Sequence, residues 1–562
     1  MTTREEAIAV LTAPGAPFEM TDLVVDGVPW RVFRQAVPSM RAMLEGTAAF
    51  GDRTFLVYEH DRYTFAEHLG IVGGLARYLA EEAKVTKGDR VAIAARNYPE
   101  WAMTFWAVQA LGAIAVPLNA WWTGPELVYG LENSGAVALV TDGERLERLG
   151  PHLHDLKLRS TIVVRHDGPR PTGVRSWEAV LGEIDRHAGL PCVTIDPEDP
   201  ATILYTSGTT GRPKGALATN RNHATNLWNT MLWGALGAAL APPAAEPVAA
   251  PALPAALQVF PFFHIGGLSG LYIYTAFGAK LVTMYKWDTE QALDLLEREE
   301  ITTTAMVPTL LRQMLDSPSL TQRHLERLAG VASGGAPVPP DLIRSLKTTF
   351  ASRVSPANGY GLTETTSAVV VNAGVEYFEH PDSIGRPTLL TDLRAVDAEG
   401  IDVPDGEIGE LWVRGPNVVK GYWNNEEATA ASFTDGWFHS GDLGYVSDGF
   451  VYVVDRLKDV VIRGGENVYC AEVEAVLFEH PAVADVAIVG VAHPVLGEEV
   501  TAAVLLREGF GPDASALQSF CEGRLAKFKV PTRIVFREEP LPRTATGKVL
   551  KRELREEITN KP

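Results

Sequence analysis

ATILYTSGTTGRPKG, residues 201–215, joins a short apolar run to a loop carrying three glycines, four Ser or Thr hydroxyls and two cations. The apolar run reads as a buried strand. In the loop, glycine lets backbone N–H groups approach phosphate oxygens, while Thr206, Ser207, Thr209 and Thr210 add hydroxyl donors and Lys214 a mobile positive charge. The segment therefore looks like a loop for a nucleotide triphosphate. It is not a Walker loop, because no glycine stands five positions before a Gly-Lys-Ser/Thr triplet, and GKV at residues 547–549 fails the same pattern. On its own, a Gly/Thr-rich turn reads equally as a plain loop.

Working outward, short β-branched runs at residues 90–96, 136–142, 160–166, 279–284 and 302–307 alternate with helical patterns. This is the mark of βαβ units and parallel sheets, an α/β fold. Residues 101–113 are apolar nearly all round and predict a buried helix; residues 288–300 are amphipathic and predict a surface one. From about residue 393 the pattern becomes short strands between Gly, Pro and Asp turns, predicting a small β-rich subdomain over 393–456. After the charged knot DRLKD at residues 455–459, a small α+β unit follows over 457–562. The expected organisation is a large N-terminal domain, 1–456, of two βα-type subdomains plus the β-rich one, and a small mobile C-terminal domain.

With 562 residues the chain is too long for one compact core. Its 50 Lys and Arg against 70 Asp and Glu give −20, which argues against broad phosphate neutralisation and so against nucleic acid as a partner. The charge is uneven. From residue 520 to 562, eleven Lys or Arg oppose six Glu, a local +5 on a body of −25. That tail is either a polyanion-attracting end or a solvated mixed-charge helix. Cys192, Cys470 and Cys521 form no CxxC pair and no disulfide framework, so a reducing, cytoplasmic compartment is expected. The first thirty residues lack the pattern of a secretory signal. The most membrane-like stretch, residues 233–257, is broken by Pro242, Pro243 and Glu246, so a surface loop is predicted rather than a spanning helix; an acyl-channel element is the alternative.

Six further motifs stand in order behind the loop: SGGAPVP at 333–339, NGYGLTETT at 358–366, GELWVRGPNVVKGYW at 409–423, WFHSGDLGYV at 437–446, DRLKDVVIRGGENVYCAEVE at 455–474 and PRTATGKVLKREL at 542–554. With YTSGTTGRPKG, this series resembles the AMP-forming adenylating enzymes: acyl- and aryl-CoA synthetases, nonribosomal peptide adenylation domains and firefly-type luciferases. The resemblance covers nearly the whole chain.

It implies an ATP-dependent acyl-CoA synthetase that converts a carboxylic acid and ATP to acyl-AMP and pyrophosphate, then transfers the acyl group to CoA with release of AMP. ATP, Mg²⁺ and coenzyme A are the implied cofactors, and an acyl or aryl carboxylic acid is the substrate. By resemblance, Tyr360 stacks on adenine beside Gly334, Gly335, Ala336 and Pro337, flanked by Asn358, Gly359 and Gly361. Thr363 contacts the α-phosphate, and Glu364 helps hold Mg²⁺, with Thr206 as a second metal contact. Asp442 and Arg456 serve the ribose, and Gly208 belongs to the phosphate loop.

Lys548, in TATGK, bridges the carboxylate and the α-phosphate by resemblance; in isolation it would read as one more lysine of a basic tail. Lys458 matches the hinge about which the C-terminal domain turns between half-reactions. After the turn, Gly464 and Gly465 would line the pantetheine tunnel, and Lys527, Phe528 and Lys529 would meet the nucleotide end of CoA. His264, in PFFHIGG, matches a histidine between acyl pocket and thiol path: a gate in the first instance, with general base and structural histidine as alternatives.

The stretch FFHIGGLSGL carries no acid to pair a substrate ammonium, which argues against amino acids. The rivals that remain are an aryl-CoA ligase, a ligase that loads a carrier protein, and a silent nucleotide or acyl-CoA sensor. Fatty-acid metabolism is the expected setting. A homodimer, and a lysine acetyltransferase acting on Lys548, complete the candidate partners.

Overall fold

The computed structural model describes residues 3–25, 27–206, 212–240, 253–350, 354–544 and 547–560. It is a mixed α/β structure with a large N-terminal domain and a small C-terminal one.

Two sheets form the large body. A seven-stranded sheet runs in the order Lys214–Thr219, Pro200–Thr206, Ile114–Pro117, Arg90–Ala94, Ala138–Asp142, Ser160–Val164, Val174–Ser176, parallel except at the first pair. A nine-stranded sheet has a parallel centre, Ser355–Leu362, Gly330–Gly334, Thr303–Met306, Ala255–Gln258, Lys280–Thr283, Thr54–Tyr58, with antiparallel strands at both edges.

The sheets share one core. Val91 and Ile93 of the first and Phe55, Leu56 and Leu281 of the second meet residues of helices Phe65–Glu81, Pro99–Ala110 and Ile265–Ala276 in a single cluster. Helix Pro99–Ala110 is buried at every position, which its apolar circumference requires. Thr289–Arg298 keeps only four residues buried, as expected of an amphipathic surface helix.

A third, antiparallel sheet holds Asp392–Val396, Gly409–Arg414, Trp437–Ser447, Phe433–Thr434 and Phe450–Arg456. The fourth begins at Val461–Arg463 and includes the long hairpin Val483–His493/Gly497–Leu506 with Arg533–Arg537 parallel to it. Helices Cys470–Phe478 and Ala514–Glu522 pack into one face of this last sheet, and Lys551–Asn560 into the other.

The stretch 233–257 corrects the surface-loop expectation in part. Helix Asn220–Leu240 continues through Trp233 to Leu240, because Gly234 and Gly237 lie among Ala and Leu and the first prolines come only at 242. At the other end, Ala255–Gln258 is a fully buried central strand. Residues 241–252 lie outside the described residues. Among the described residues no helix is long and apolar enough to cross a membrane.

The N-terminal hairpin Met20–Val25/Val28–Phe33 has no counterpart in the sequence reading. It and helix Arg4–Leu11 pack on Asn220–Leu240 through Phe18, Phe33 and Leu232.

Candidate active site

The phosphate-loop hairpin closes through the antiparallel pair Thr206↔Lys214, where the Thr206 hydroxyl donates to the Lys214 carbonyl at 3.4 Å. Ser207, Gly208, Thr209 and Thr210 lie outside the described residues. The Lys214 ammonium sits 4.9 Å from the centroid of the Tyr422 ring, and Trp423 N–H donates to the Gly215 carbonyl at 2.7 Å. A side chain at 215 would meet Ile203 at 2.7 Å, so glycine lets the hairpin lie flat on its own strand.

Tyr422 in turn donates to Glu364 at 2.7 Å. The Glu364 carboxyl is buried, and burial raises its pKa against the pull of Tyr422, Arg456 and Lys214. Tyr422 lies in the KGYW motif with no role legible from sequence, because an aromatic hydroxyl in a loop follows no spacing rule.

A second cluster forms where the nine-stranded sheet meets the third. Strand Ser355–Leu362 sets Asn358 and Gly359 beside Ser333 and Gly334. A Cβ at Gly334 would lie 3.0 Å from the Gly359 carbonyl, and Gly335 has φ +75°. Both glycines keep this wall thin, ahead of Ala336 and Pro337. Tyr360 donates its hydroxyl to Asp442 at 2.6 Å, and Arg456 holds the other oxygen of that carboxylate at 3.0 Å. Asp442 and Arg456 are cross-strand partners, so the pair is built into the ladder. Burial and the Asp442 charge keep the Tyr360 phenol protonated, its pKa well above the usual range. Thr363 opens a one-turn helix that ends in left-handed backbone at Thr366, φ 50°, and Ser367, φ 87°. At Gly361 a Cβ would strike the Ser367 carbonyl at 1.9 Å, so this fold-back tolerates glycine only.

Lys548 arrives from the C-terminal domain. Its loop is closed by Thr544 N–H to the Lys548 carbonyl at 2.8 Å, and Arg543 anchors it to both oxygens of Asp485 at 2.8 and 2.7 Å. Gly547, φ +79°, lies against Val307 of the large domain. Burial lowers the Lys548 pKa to about 7, helped by the Arg456 and Lys458 charges and opposed by Asp442 and Asp459. The ammonium is therefore within electrostatic reach of the Asp442–Arg456 pair. Lys458 is lowered in the same way, first by burial.

A cavity of about 320 Å³ opens beside the loop, lined by Phe260, Phe263, Val307, Thr544 and Gly547, with Arg96 at its wall. Arg96 lies 5.4 Å from the Trp121 ring and 5.2 Å from Tyr285.

His264 is half-buried and caps helix Ile265–Ala276, its Nδ1 accepting the Gly266 N–H at 3.1 Å. Burial lowers its pKa to about 4. At neutral pH the ring is then neutral with its proton on Nε2, a donor rather than a base.

The residues expected on the CoA side gather elsewhere. Gly464 and Gly465 are exposed, and Arg463 donates to the Phe528 carbonyl at 3.4 Å. Lys527 is exposed, Phe528 packs on the C-terminal core, and Lys529 grips both oxygens of Glu472 at 2.8 and 2.7 Å. The structure brings these residues to one another, on the C-terminal domain's own surface.

For a divalent cation the donor set is thin on the protein side. No group of three His, Cys, Asp or Glu suited to a metal occurs among the described residues. A single buried carboxylate, Glu364, within electrostatic reach of Lys214, fits an ion held chiefly by phosphate oxygens and water.

Two family models match: AMP-binding enzyme over residues 44–423, and AMP-binding enzyme C-terminal domain over residues 472–548. A feruloyl-CoA synthase of Amycolatopsis sp. is 36% identical over 496 residues, spanning 88% of this chain and 93% of that protein. A long-chain-fatty-acid–CoA ligase of Bacillus subtilis is 32% identical over 546 residues, 92% and 94% of the two chains. The o-succinylbenzoate CoA synthetase of Bacillus subtilis, solved with its acyl-adenylate intermediate, superposes with TM-score 0.75 at 29% identity, covering 92% of this chain and 98% of that one. The same enzyme with ATP and magnesium ion gives 0.76 at 30%, covering 92% and 100%.

Proposed function

The chain belongs to the family of AMP-binding enzymes, and from that premise we propose how its residues divide the work. It is an AMP-forming acid–thiol ligase: a carboxylic acid and ATP give acyl-AMP and pyrophosphate, and CoA then gives acyl-CoA and AMP. ATP, Mg²⁺ and CoA are its cofactors.

The observation that carries the residue assignment is the convergence of Lys548 on the Asp442–Arg456 pair, with Glu364 and Lys214 on the phosphate side. Lys214 and the loop hydroxyls hold the β- and γ-phosphates, and Thr363 the α-phosphate. Glu364, with Thr206, would hold the metal, which supplies charge neutralisation between phosphates when bound. Tyr360 stacks on adenine, and Asp442 accepts the ribose hydroxyls with Arg456 beside it. Lys548 then offsets the negative charge that gathers as the carboxylate oxygen attacks the α-phosphorus and the bond to pyrophosphate breaks.

For the second half-reaction the C-terminal domain, residues 457–562, turns about Lys458. The patch of Gly464, Gly465, Lys527, Phe528 and Lys529 comes to face the CoA path, and Lys529 exchanges Glu472 for a phosphate. His264 gates that path as a neutral Nε2–H donor. The CoA sulfur attacks the acyl carbonyl carbon, AMP leaves with the electron pair, and the thiol proton goes to solvent.

The acid is acyl or aryl and carries no ammonium group, since among the described residues no carboxylate lines the cavity to pair one. A fatty-acid setting, the cytoplasm, a homodimer and silencing of Lys548 by acetylation extend this reading. Release of pyrophosphate and of AMP from ATP, measured with and without CoA across C2 to C18 and aromatic acids, tests it. Sustained AMP release only with CoA supports the ligase, acid-dependent pyrophosphate release without AMP even when CoA is present points to a carrier-protein acceptor, and neither product with any acid overturns the assignment.

A further inference from the structure

Helix Cys470–Phe478 opens without a cap of its own, since Tyr469 at its N-cap offers no side-chain hydrogen bond. Helix starts ordinarily take Ser, Thr, Asp or Asn at that position to satisfy the first free N–H groups. Here the acceptor comes from fifteen residues upstream. The Asp455 carboxylate accepts the N–H of Cys470 in a short hydrogen bond and that of Ala471 at 3.4 Å, while its other oxygen takes the Arg456 N–H at 2.7 Å. Asp455 stands on strand Phe450–Arg456 of the third sheet, paired with Leu443, and is 7% exposed. The contact thus joins the last strand of the large domain to the first helix of the small one, across Lys458.

The grip continues to the lysine loop. One turn into the same helix, Glu474 pairs with Lys551 at 2.8 Å and accepts the Ile488 N–H at 2.8 Å. Lys551 begins the terminal helix Lys551–Asn560, three residues beyond Lys548. A rigid sequence of contacts therefore runs from the large domain's strand through helix Cys470–Phe478 to the base of the Lys548 loop. A turn about Lys458 that carries the helix N-terminus away from Asp455 exposes two N–H groups and a buried carboxylate.

We propose that Asp455 is a positioning residue for the first half-reaction: it docks helix Cys470–Phe478 onto the large domain so that Lys548 faces the nucleotide, and it must let go before the thioester step. This rests on the reading that the C-terminal domain turns about Lys458 and that Lys548 serves adenylation.

The test is single-molecule energy transfer between a dye on exposed Cys192 and one on an introduced cysteine, Glu508→Cys, in the full ligand-free chain; Cys470 and Cys521 are buried. One inter-dye distance should dominate in the parent. Asp455→Ala should shift the ratio of docked to undocked molecules by about tenfold or more, the scale of one lost charge-assisted hydrogen bond. Asp455→Asn, nearly isosteric and still an acceptor, should recover part of the docked population, which a general loss of folding would not. A distribution in Asp455→Ala indistinguishable from the parent overturns the proposal. So does an Asp455→Asn protein that melts as the parent does and shows no shift, should the alanine variant fail to fold. If the acid panel yields neither pyrophosphate nor AMP while Asp455→Ala still shifts the distances, the residue assignment of the ligase fails and the docking contact stands.

Discussion

Tyr360, Asp442 and Arg456 stand on strands of one body and touch at 2.6 and 3.0 Å, whereas Lys548 reaches them on a loop of a separate domain. The first group is assembled within the large domain alone. The second is present only while the C-terminal domain is docked. On the proposed assignment the cluster serves both half-reactions and the lysine only one, so substitutions in the two regions should separate accordingly.

The largest separation is expected from Lys548→Ala. Loss of a charge aimed at the reacting phosphate should slow acyl-adenylate formation by about 10²–10³-fold, while thioester formation from supplied acyl-AMP stays within about twofold. Pyrophosphate exchange and single-turnover transfer measure the two. Equal loss in both would remove the distinction. Asp442→Asn should behave oppositely, raising KM for ATP and weakening AMP by roughly tenfold, because the nucleotide is bound in both steps. Calorimetry with AMP reads this directly, and an unchanged affinity would take Asp442 out of the site.

A pH series sharpens the same contrast. With its pKa lowered to about 7, Lys548 of the free enzyme loses its charge as pH rises past that value, so kcat/KM for pyrophosphate exchange should fall there. Thioester formation should not follow. Lys548→Arg, always charged, should flatten the fall even at a lower plateau. On stability the sign is the reverse: between about 7 and the ordinary lysine range the unfolded chain takes up a proton that the folded one lacks, so this residue makes stability rise with pH.

The smallest effect belongs to Lys529→Gln. Its pair with Glu472 is partly exposed and should change stability by less than about 1 kcal/mol. KM for CoA should rise about threefold if Lys529 leaves Glu472 for a phosphate, the scale of a solvent-screened charge contact. An unchanged KM removes Lys529 from the CoA face.

Most strands, and the two kinds of helix, were legible because periodicity and breakers act locally. Residues 90–94 and 160–164 form strands where β-branched runs predicted them. The motifs made Asp442 and Lys548 visible as candidates, but their meeting was not, since it depends on how two domains dock. Tyr422 and Asp455 escaped for the same reason. Each acts on a residue far along the chain or in another domain, Glu364 and Cys470, and nothing in spacing announces such a partner. The stretch after Trp233 misled because its prolines begin only where the helix had already ended.

One consequence of the Tyr360–Asp442 contact concerns turnover. The Asp442 carboxylate is already satisfied by Tyr360 and Arg456 before any ligand enters. A ribose that binds there swaps one set of hydrogen bonds for another, and the net gain is small. AMP left after thioester formation can therefore depart without stranding a buried charge, which favours rapid product release over tight retention.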